Sequence, residues 1–359
     1  MDYPGRQQRV LAALERKHLD AILITHLPNI QYLCGFTGSA GVLVVGGGPR
    51  PMFFTDGRYT AQAREQVRHA KVAIAKGPAP SAAADWVKKH RIRRLGIEAD
   101  HMSVANRMAL SASLSNAVGL CPTTGVVEEQ RMVKEPEEIE SIRRAVLAGS
   151  ALLDTAIEAV RPGIAETAIA AEIEYAARQA GCEGMSFPTI VASGVRSSLP
   201  HGEASQQPVP AKGFVVMDFG VILGAYCSDM TRTIHVGRVD RVARRVYEAV
   251  REAQQAGLDA VRPGVTVEEV DRAARRTLSR ARLAQYFTHS TGHGVGLEIH
   301  ERPRLARGGT DVLQPGMVIT IEPGVYIPGK YGVRIEDMVV VTEEGCDVLT
   351  PSPKQLISL

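Results

Sequence analysis

Two acids, Asp218 and Asp229, stand inside the stretch 213–235, GFVVMDFGVILGAYCSDMTRTIH. Val215, Val216, Met217 and Phe219 surround the first; Ser228, Thr231, Thr233 and Ile234 flank the second. Apolar and β-branched runs bounded by glycine read as two strands joined by a turn. A carboxylate buried in such a run is costly unless it is paired or binds a metal. Two on one hairpin repel each other unless a cation sits between them. From this hairpin alone, a pair of solvated acids on an exposed strand face fits equally well. A second pair changes the balance: Glu322 in GMVITIEPG and Glu336 in RIEDM. Four ionised carboxylates brought within a few ångströms of one another require cations, and two divalent ions cancel their charge. A fifth ligand is expected at His293, in HSTGHGVGLEIH at 289–300. That segment is not the helical HExxH zinc motif, because no Glu follows its first His and its glycines oppose a helix. Nor does GHGVG have the GxGxxG spacing of a dinucleotide loop. Oxygen ligands with one imidazole make a hard site, which favours Mn²⁺ and leaves Co²⁺ or Zn²⁺ open. Two such ions about 3.5–4 Å apart lower the pKa of a bound water and polarise a carbonyl, so the implied reaction is hydrolysis of an amide or ester.

The elements that must hold these residues repeat. AVRPG occurs at 159–163 and again at 260–264, each time after a helical stretch and before another, at 166–180 and 266–281. The first of these helices opens at KEPEE, where Pro136 suits a first helical position and the acids suit the positive N-terminal end. Ile139, Ile142, Val146, Leu153, Ile157 and Val160 follow at helical spacing. GFVVMDFG is echoed by GMVITIEPG, and CSDM by RIEDM. The period is too long and the copies too few for a solenoid. A duplicated α+β domain with a pseudo-two-fold axis is expected, bringing one acid-bearing hairpin from each copy to a common pocket.

The first third reads differently. Segments 21–25, 41–45, 51–55, 71–75 and 95–98 have strand composition; 5–18, 59–69, 81–90 and 103–115 have helical composition. Their alternation predicts a smaller α/β domain. CPTTG at 121–125 breaks the pattern, and the boundary is set at 1–127 against 128–359. GGG at 46–48 is a turn signal, not a phosphate loop. His26, His69, His90 and His101 lack ligand-like spacing. The whole chain, 359 residues with a net charge of +3, is too weakly basic to suggest nucleic acid. No apolar run suits a signal peptide or a membrane span. Five scattered cysteines, with no CxxC, suit a reducing cytoplasm, and Cys227 reads as a small buried hydrophobe.

HLPNIQYLCGFTGSAG, FTDGRY, SLPHG, VMDFG, YCSDMTRT, STGHGVGLEIHE, IEPGVY and VRIEDMVVV occur in the order found in the pita-bread metallopeptidases. Over essentially its whole length the chain resembles their proline-specific branch, Xaa-Pro dipeptidase (prolidase) and aminopeptidase P. The resemblance implies a creatinase-like first domain that caps the site, a homodimer, and metal ligands Asp218, Asp229, His293, Glu322 and Glu336. It implies that His201 and His300 hold the substrate carbonyl and the tetrahedral intermediate, that His289 belongs to the same site, and that Glu322 also accepts a proton. Arg334 is expected at the rim, pairing with an acid or a substrate carboxylate, and Tyr226 and Tyr326 in the pocket wall. The implied substrate is a small peptide with proline in second place. Dipeptidase action is the first reading and aminopeptidase P action on longer peptides the second. A catalytically inactive relative that binds protein partners is a third, opposed by the intact ligand set. A metal-free creatinase-like hydrolase and a methionine aminopeptidase fit less well, the one lacking acid ligands and the other a first domain of this kind.

Overall fold

The computed structural model describes residues 1–114 and 116–359. The chain divides into two compact units, Met1–Arg131 and Met132–Leu359; the boundary set from the sequence, 127/128, lies four residues earlier.

The first unit is built on six strands: β1 (Ala21–Ile24), β2 (Val42–Gly46), β3 (Met52–Thr55), β4 (Lys71–Ile74), β5 (Arg94–Glu98) and β6 (Gly119–Thr123), in the order β4-β3-β2-β1-β5-β6. Pairs β3–β4, β1–β5 and β5–β6 are parallel, and β1–β2 and β2–β3 antiparallel. Five strands fall where apolar composition predicts them. The sixth lies in the CPT stretch expected to break the pattern; Pro122 is tolerated because β6 is an edge strand and needs no ladder donor there. Helices α1 (Tyr3–Arg16), α2 (Leu27–Cys34), α3 (Thr60–Gln66), α4 (Ala79–Lys89) and α5 (Val104–Ser113) complete the unit, with a last turn, α6 (Glu128–Arg131). The expected helical segment 103–115 ends at Ser115, outside the described residues. Ala83, Ala84 and Val87 of α4 and Leu110 of α5 bury against Leu23, Val44, Leu95 and Ile97 of the sheet.

In the second unit α7 (Pro136–Ala159) and α8 (Glu166–Gln179) precede β7 (Gly184–Met185), β8 (Ile190–Ser193), β9 (Gly213–Phe219), β10 (Val221–Leu223), β11 (Tyr226–Cys227) and β12 (Met230–Val236). Then α9 (Arg241–Ala260) and α10 (Val267–Arg280) precede β13 (Gly292–Gly294), β14 (Glu301–Leu305), β15 (Val318–Ile321), β16 (Gly324–Ile327), β17 (Tyr331–Arg334), β18 (Asp337–Val341) and β19 (Cys346–Val348). The duplication extends to single hydrogen bonds. Gly163 and Gly264 both take positive φ (+87° and +82°) in the AVRPG turns, and both donate N–H at 2.9 Å, to the carbonyls of Val209 and Leu313. Only glycine adopts that backbone without strain.

The acid-bearing stretch of each copy holds four strands, not the expected two. The outer pair forms the ladder, β9 with β12 and β15 with β18; the inner pair, β10–β11 or β16–β17, peels away into another sheet. In the first copy the departure is at Gly220, where a Cβ would lie 1.8 Å from the Ser228 carbonyl oxygen. A strand alternates its faces. Val215, Met217 and Phe219 therefore enter a helical core with Ile169 and Ile173 of α8, while Asp218 and its partner Thr231 face the other way. Likewise Ile319 and Ile321 pack with Val267 and Val270 of α10, leaving Thr320 on the opposite face.

Candidate active site

The four acids stand where outer strands hand over to inner ones. Asp218 is the next-to-last residue of β9 and Asp229 directly precedes β12; Glu322 directly follows β15 and Glu336 directly precedes β18. There the backbone leaves its ladder, so a side chain turns into the space between the two copies. His293 comes from β13, which pairs with β15 through Gly294 and Ile319. Its N–H donates to Thr320 Oγ1 at 3.1 Å, and the Glu322 N–H donates to the Thr291 carbonyl at 2.8 Å.

Nine of the eleven residues singled out from the sequence line one cavity of about 670 Å³; Tyr226 and Tyr326, expected in its wall, do not. Ligand atoms of Asp229, His293 and Glu336 lie within 4.8 Å of one another. His293 Nδ1 is 3.0 Å from the Gly294 carbonyl, which can only accept, so Nδ1 carries the proton and Nε2 presents its lone pair. That Nε2 faces Asp229 Oδ2 at 3.5 Å and Glu322 Oε1 at 3.7 Å. Glu336 is held by Thr231, whose hydroxyl donates to Oε2 at 2.7 Å and whose carbonyl accepts the Glu336 N–H at 3.1 Å. Asp218 Oδ1, Asp229 Oδ1 and Glu336 Oε1 are buried and have no hydrogen-bond partner.

Electrostatics agrees with this geometry. Burial, reinforced by the neighbouring acids Glu336, Asp218 and Glu322, pushes Asp229 well above the usual carboxylate range. Burial and the charges of Glu322 and Asp218 do the same to Glu336. Glu322 rises to about 8, chiefly through burial, with Arg334 opposing. Burial lowers His293 to about 4 and His289 to about 3, so both imidazoles are neutral at working pH and His293 Nε2 is free to ligate. Orphaned acid oxygens facing an imidazole lone pair are a donor set that fits hard divalent cations.

Arg334 is not at the rim. Its side chain is 3% exposed, because β17 turns it inward, where its guanidinium finds the partners a buried charge needs. It donates to Asp218 Oδ2, to Thr231 Oγ1 (3.0 Å), to the Pro200 carbonyl (2.9 Å) and to the Tyr326 hydroxyl. Tyr326 in turn lies 2.9 Å from His289 Nε2, and His289 Nδ1 lies 2.8 Å from the Ser290 carbonyl. Both nitrogens of His289 are thus engaged with protein groups. Tyr226 turns away from the cavity; its hydroxyl donates to Glu138 of α7 at 2.9 Å. His201 and His300 are exposed in the cavity lining, and the His300 ring centroid is 4.4 Å from that of His293. The sequence reading passed over Arg304, an exposed guanidinium of β14 in the same wall. Its only signal was proximity to the histidine segment, in ERPRL.

The chain matches the model of metallopeptidase family M24 over residues 140–343 and that of the creatinase/prolidase N-terminal domain over 6–133. A protein of Pyrococcus furiosus named Xaa-Pro dipeptidase is 36% identical over 355 residues, covering 98% of this chain and 99% of its own. The solved Xaa-Pro dipeptidase from Bacillus anthracis superposes with a TM-score of 0.96 at 39% identity, covering 99% of this chain and all of that one. The X-Pro aminopeptidase from Thermotoga maritima gives 0.88 at 34% identity, covering 96% and 99%. A duplicated acid-bearing fold, an inward-facing imidazole and matches across both units lead to one assignment: the chain belongs to the M24 metallopeptidases, with a creatinase-like first domain followed by the pita-bread domain.

Proposed function

We propose that this protein is an Xaa-Pro dipeptidase of the prolidase type that uses two divalent ions, Mn²⁺ first among them. The observation that carries the metal reading is the set of buried, unpartnered oxygens on Asp218, Asp229 and Glu336 around the Nε2 of His293. Asp218, Asp229, His293, Glu322 and Glu336 would hold the ions. Ions held there supply Lewis acidity toward the peptide carbonyl and toward water.

The protein's own groups do the rest. Glu322 accepts the proton of the attacking water and passes it to the leaving proline nitrogen, which has no hydrogen of its own in the substrate. His201 and His300 donate to the carbonyl oxygen as negative charge develops there. Arg334 carries no substrate contact in this reading; with Tyr326 it positions Asp218 and His289. Arg304 supplies a cation for the substrate's terminal carboxylate, and this favours dipeptides over longer chains. The same lining would serve an Xaa-Pro aminopeptidase if that wall tolerated a third residue.

Rates on Ala-Pro and on Ala-Pro-Ala separate the two. The dipeptidase reading expects about a 10–100-fold preference in kcat/KM for Ala-Pro, the value of losing one charge-assisted contact. Comparable efficiency on the tripeptide assigns aminopeptidase P action instead. A metal content below about one ion per chain that Mn²⁺ does not restore would favour a binding protein without catalysis. The proposed setting is the cytoplasm. It is supported by the five scattered cysteines, none of them in a CxxC pair. Assembly as a homodimer rests on the family resemblance.

A further inference from the structure

A buried ionic cluster lies directly behind Glu336, outside the cavity lining. Asp337, the next residue, is completely buried. Its Oδ1 accepts from Arg232 Nη2 at 2.7 Å; its Oδ2 accepts from Lys354 Nζ and from Gln254 Nε2, both at 2.9 Å. Arg232 is 3% exposed and every N–H it has toward the chain is aimed at oxygen. Besides Asp337, its acceptors are the carbonyls of Thr231 (2.9 Å), Glu336, Ser352 (2.7 Å) and Pro353 (2.9 Å). One guanidinium thus ties together the backbone of β12, the backbone of Glu336 and the segment 350–354 that follows β19. Lys354 brings the second cation from that segment and also donates to Gln254 Oε1 of α9 at 3.1 Å.

We propose that Arg232, Asp337 and Lys354 form a clamp that positions the carboxylate of Glu336 for metal, with the 350–354 segment as part of the device. The inference rests on the reading of Glu336 as a ligand. Glu336 is held at two points by Thr231, through its side chain and through its N–H, and the Arg232 guanidinium fixes the carbonyls of both residues. Movement of the guanidinium therefore moves ligand and ligand-holder together. Buried ion clusters are poor sources of stability compared with apolar packing, whereas removing one member leaves an uncompensated charge. Here that charge would lie one residue from a ligand. Outer partners of ligands typically change metal affinity 10–100-fold. None of the three clamp residues touches the cavity, so substrate binding is not their work.

The test is calorimetric titration of Mn²⁺ into the metal-stripped full chain, with thermal unfolding of the same stripped samples. Lys354→Met keeps the length of a side chain that is 23% exposed, and so disturbs packing least. It should weaken Mn²⁺ binding about tenfold, and Asp337→Asn between about 10- and 100-fold. KM for Ala-Pro at saturating Mn²⁺ should stay within about twofold of the parent for both. Should Asp337→Asn fail to fold, Lys354→Met alone decides. Mn²⁺ affinity of Lys354→Met within about twofold of the parent overturns the clamp, whether or not its unfolding temperature drops. Glu336→Gln is the reference: if it loses affinity and Lys354→Met does not, only the clamp falls. If Glu336→Gln binds Mn²⁺ like the parent, the ligand reading itself is wrong.

Discussion

Stripped of divalent ions, the protein should lose stability as the pH rises from about 5 to 8. Glu322 titrates near 8 in the folded chain against an ordinary value of 4.5. The folded state therefore holds this proton more tightly than the unfolded one. Its contribution to stability is complete below about 4.5 and disappears as the pH climbs through the folded value. At roughly 1.4 kcal/mol per pH unit, that interval is worth about 5 kcal/mol, an upper figure because the side chain keeps 16% of its surface and its neighbours relax. Asp229 and Glu336 are shifted the same way, so they add to the trend. The loss is a large fraction of the roughly 5–15 kcal/mol that holds a domain together. Urea unfolding followed by far-ultraviolet circular dichroism at pH 5, 6, 7 and 8, in chelator and in Mn²⁺, measures it. With Mn²⁺ the dependence should reverse, since the ligands must be deprotonated to bind. Glu322→Gln should flatten part of the slope in chelator. A stripped protein equally stable from pH 5 to 8, with no gain from Mn²⁺, would refute the reasoning that these acids share one poorly solvated space.

Asp229→Ala removes one ligand and leaves the second hairpin intact, so turnover should fall to background with the circular dichroism spectrum kept; undiminished turnover in saturating Mn²⁺ contradicts the ligand set. Activity of the parent should fall on the acid side, and a flat rate down to pH 4 would be inconsistent with ligands that must lose protons. Arg304→Ala should raise KM for Ala-Pro about 10–100-fold, the worth of a charge-assisted contact, and leave KM for the carboxamide-capped dipeptide within about twofold; an equal effect on both removes its role as carboxylate receptor. Tyr326→Phe breaks the link between Arg334 and His289 and should lower kcat up to about tenfold at constant KM, a loss of about 0.5–1.5 kcal/mol.

Much of the site could be read from the chain because the duplication is written in it. AVRPG and the paired hairpins identify themselves, and four acids among apolar neighbours have no inexpensive alternative to a cation. What stayed hidden depends on three-dimensional pairing. The inner strands β10 and β11 are short and follow Gly220, so they read as the continuation of one hairpin; only the close approach to Ser228 shows that the sheet divides there. Arg334 ends a strand, where a long cation usually reaches solvent. Its burial depends on Asp218 and Pro200, more than a hundred residues earlier, supplying acceptors. Tyr226 belongs to Glu138 for the same reason: a partner distant in sequence decides which way the ring points. In the first unit α2 lies outside the segments of helical composition: it is only eight residues long, with Pro28 at its start and Gly35, in the left-handed conformation, ending it.

The account stands or falls on whether divalent ions bind among Asp218, Asp229, His293, Glu322 and Glu336. Anomalous diffraction at the manganese edge from crystals of the Mn²⁺-loaded protein addresses it directly. Two peaks are predicted, one of them within coordination distance of Asp229, His293 and Glu336 together. No peak among these side chains, in a preparation that hydrolyses Ala-Pro, would contradict it.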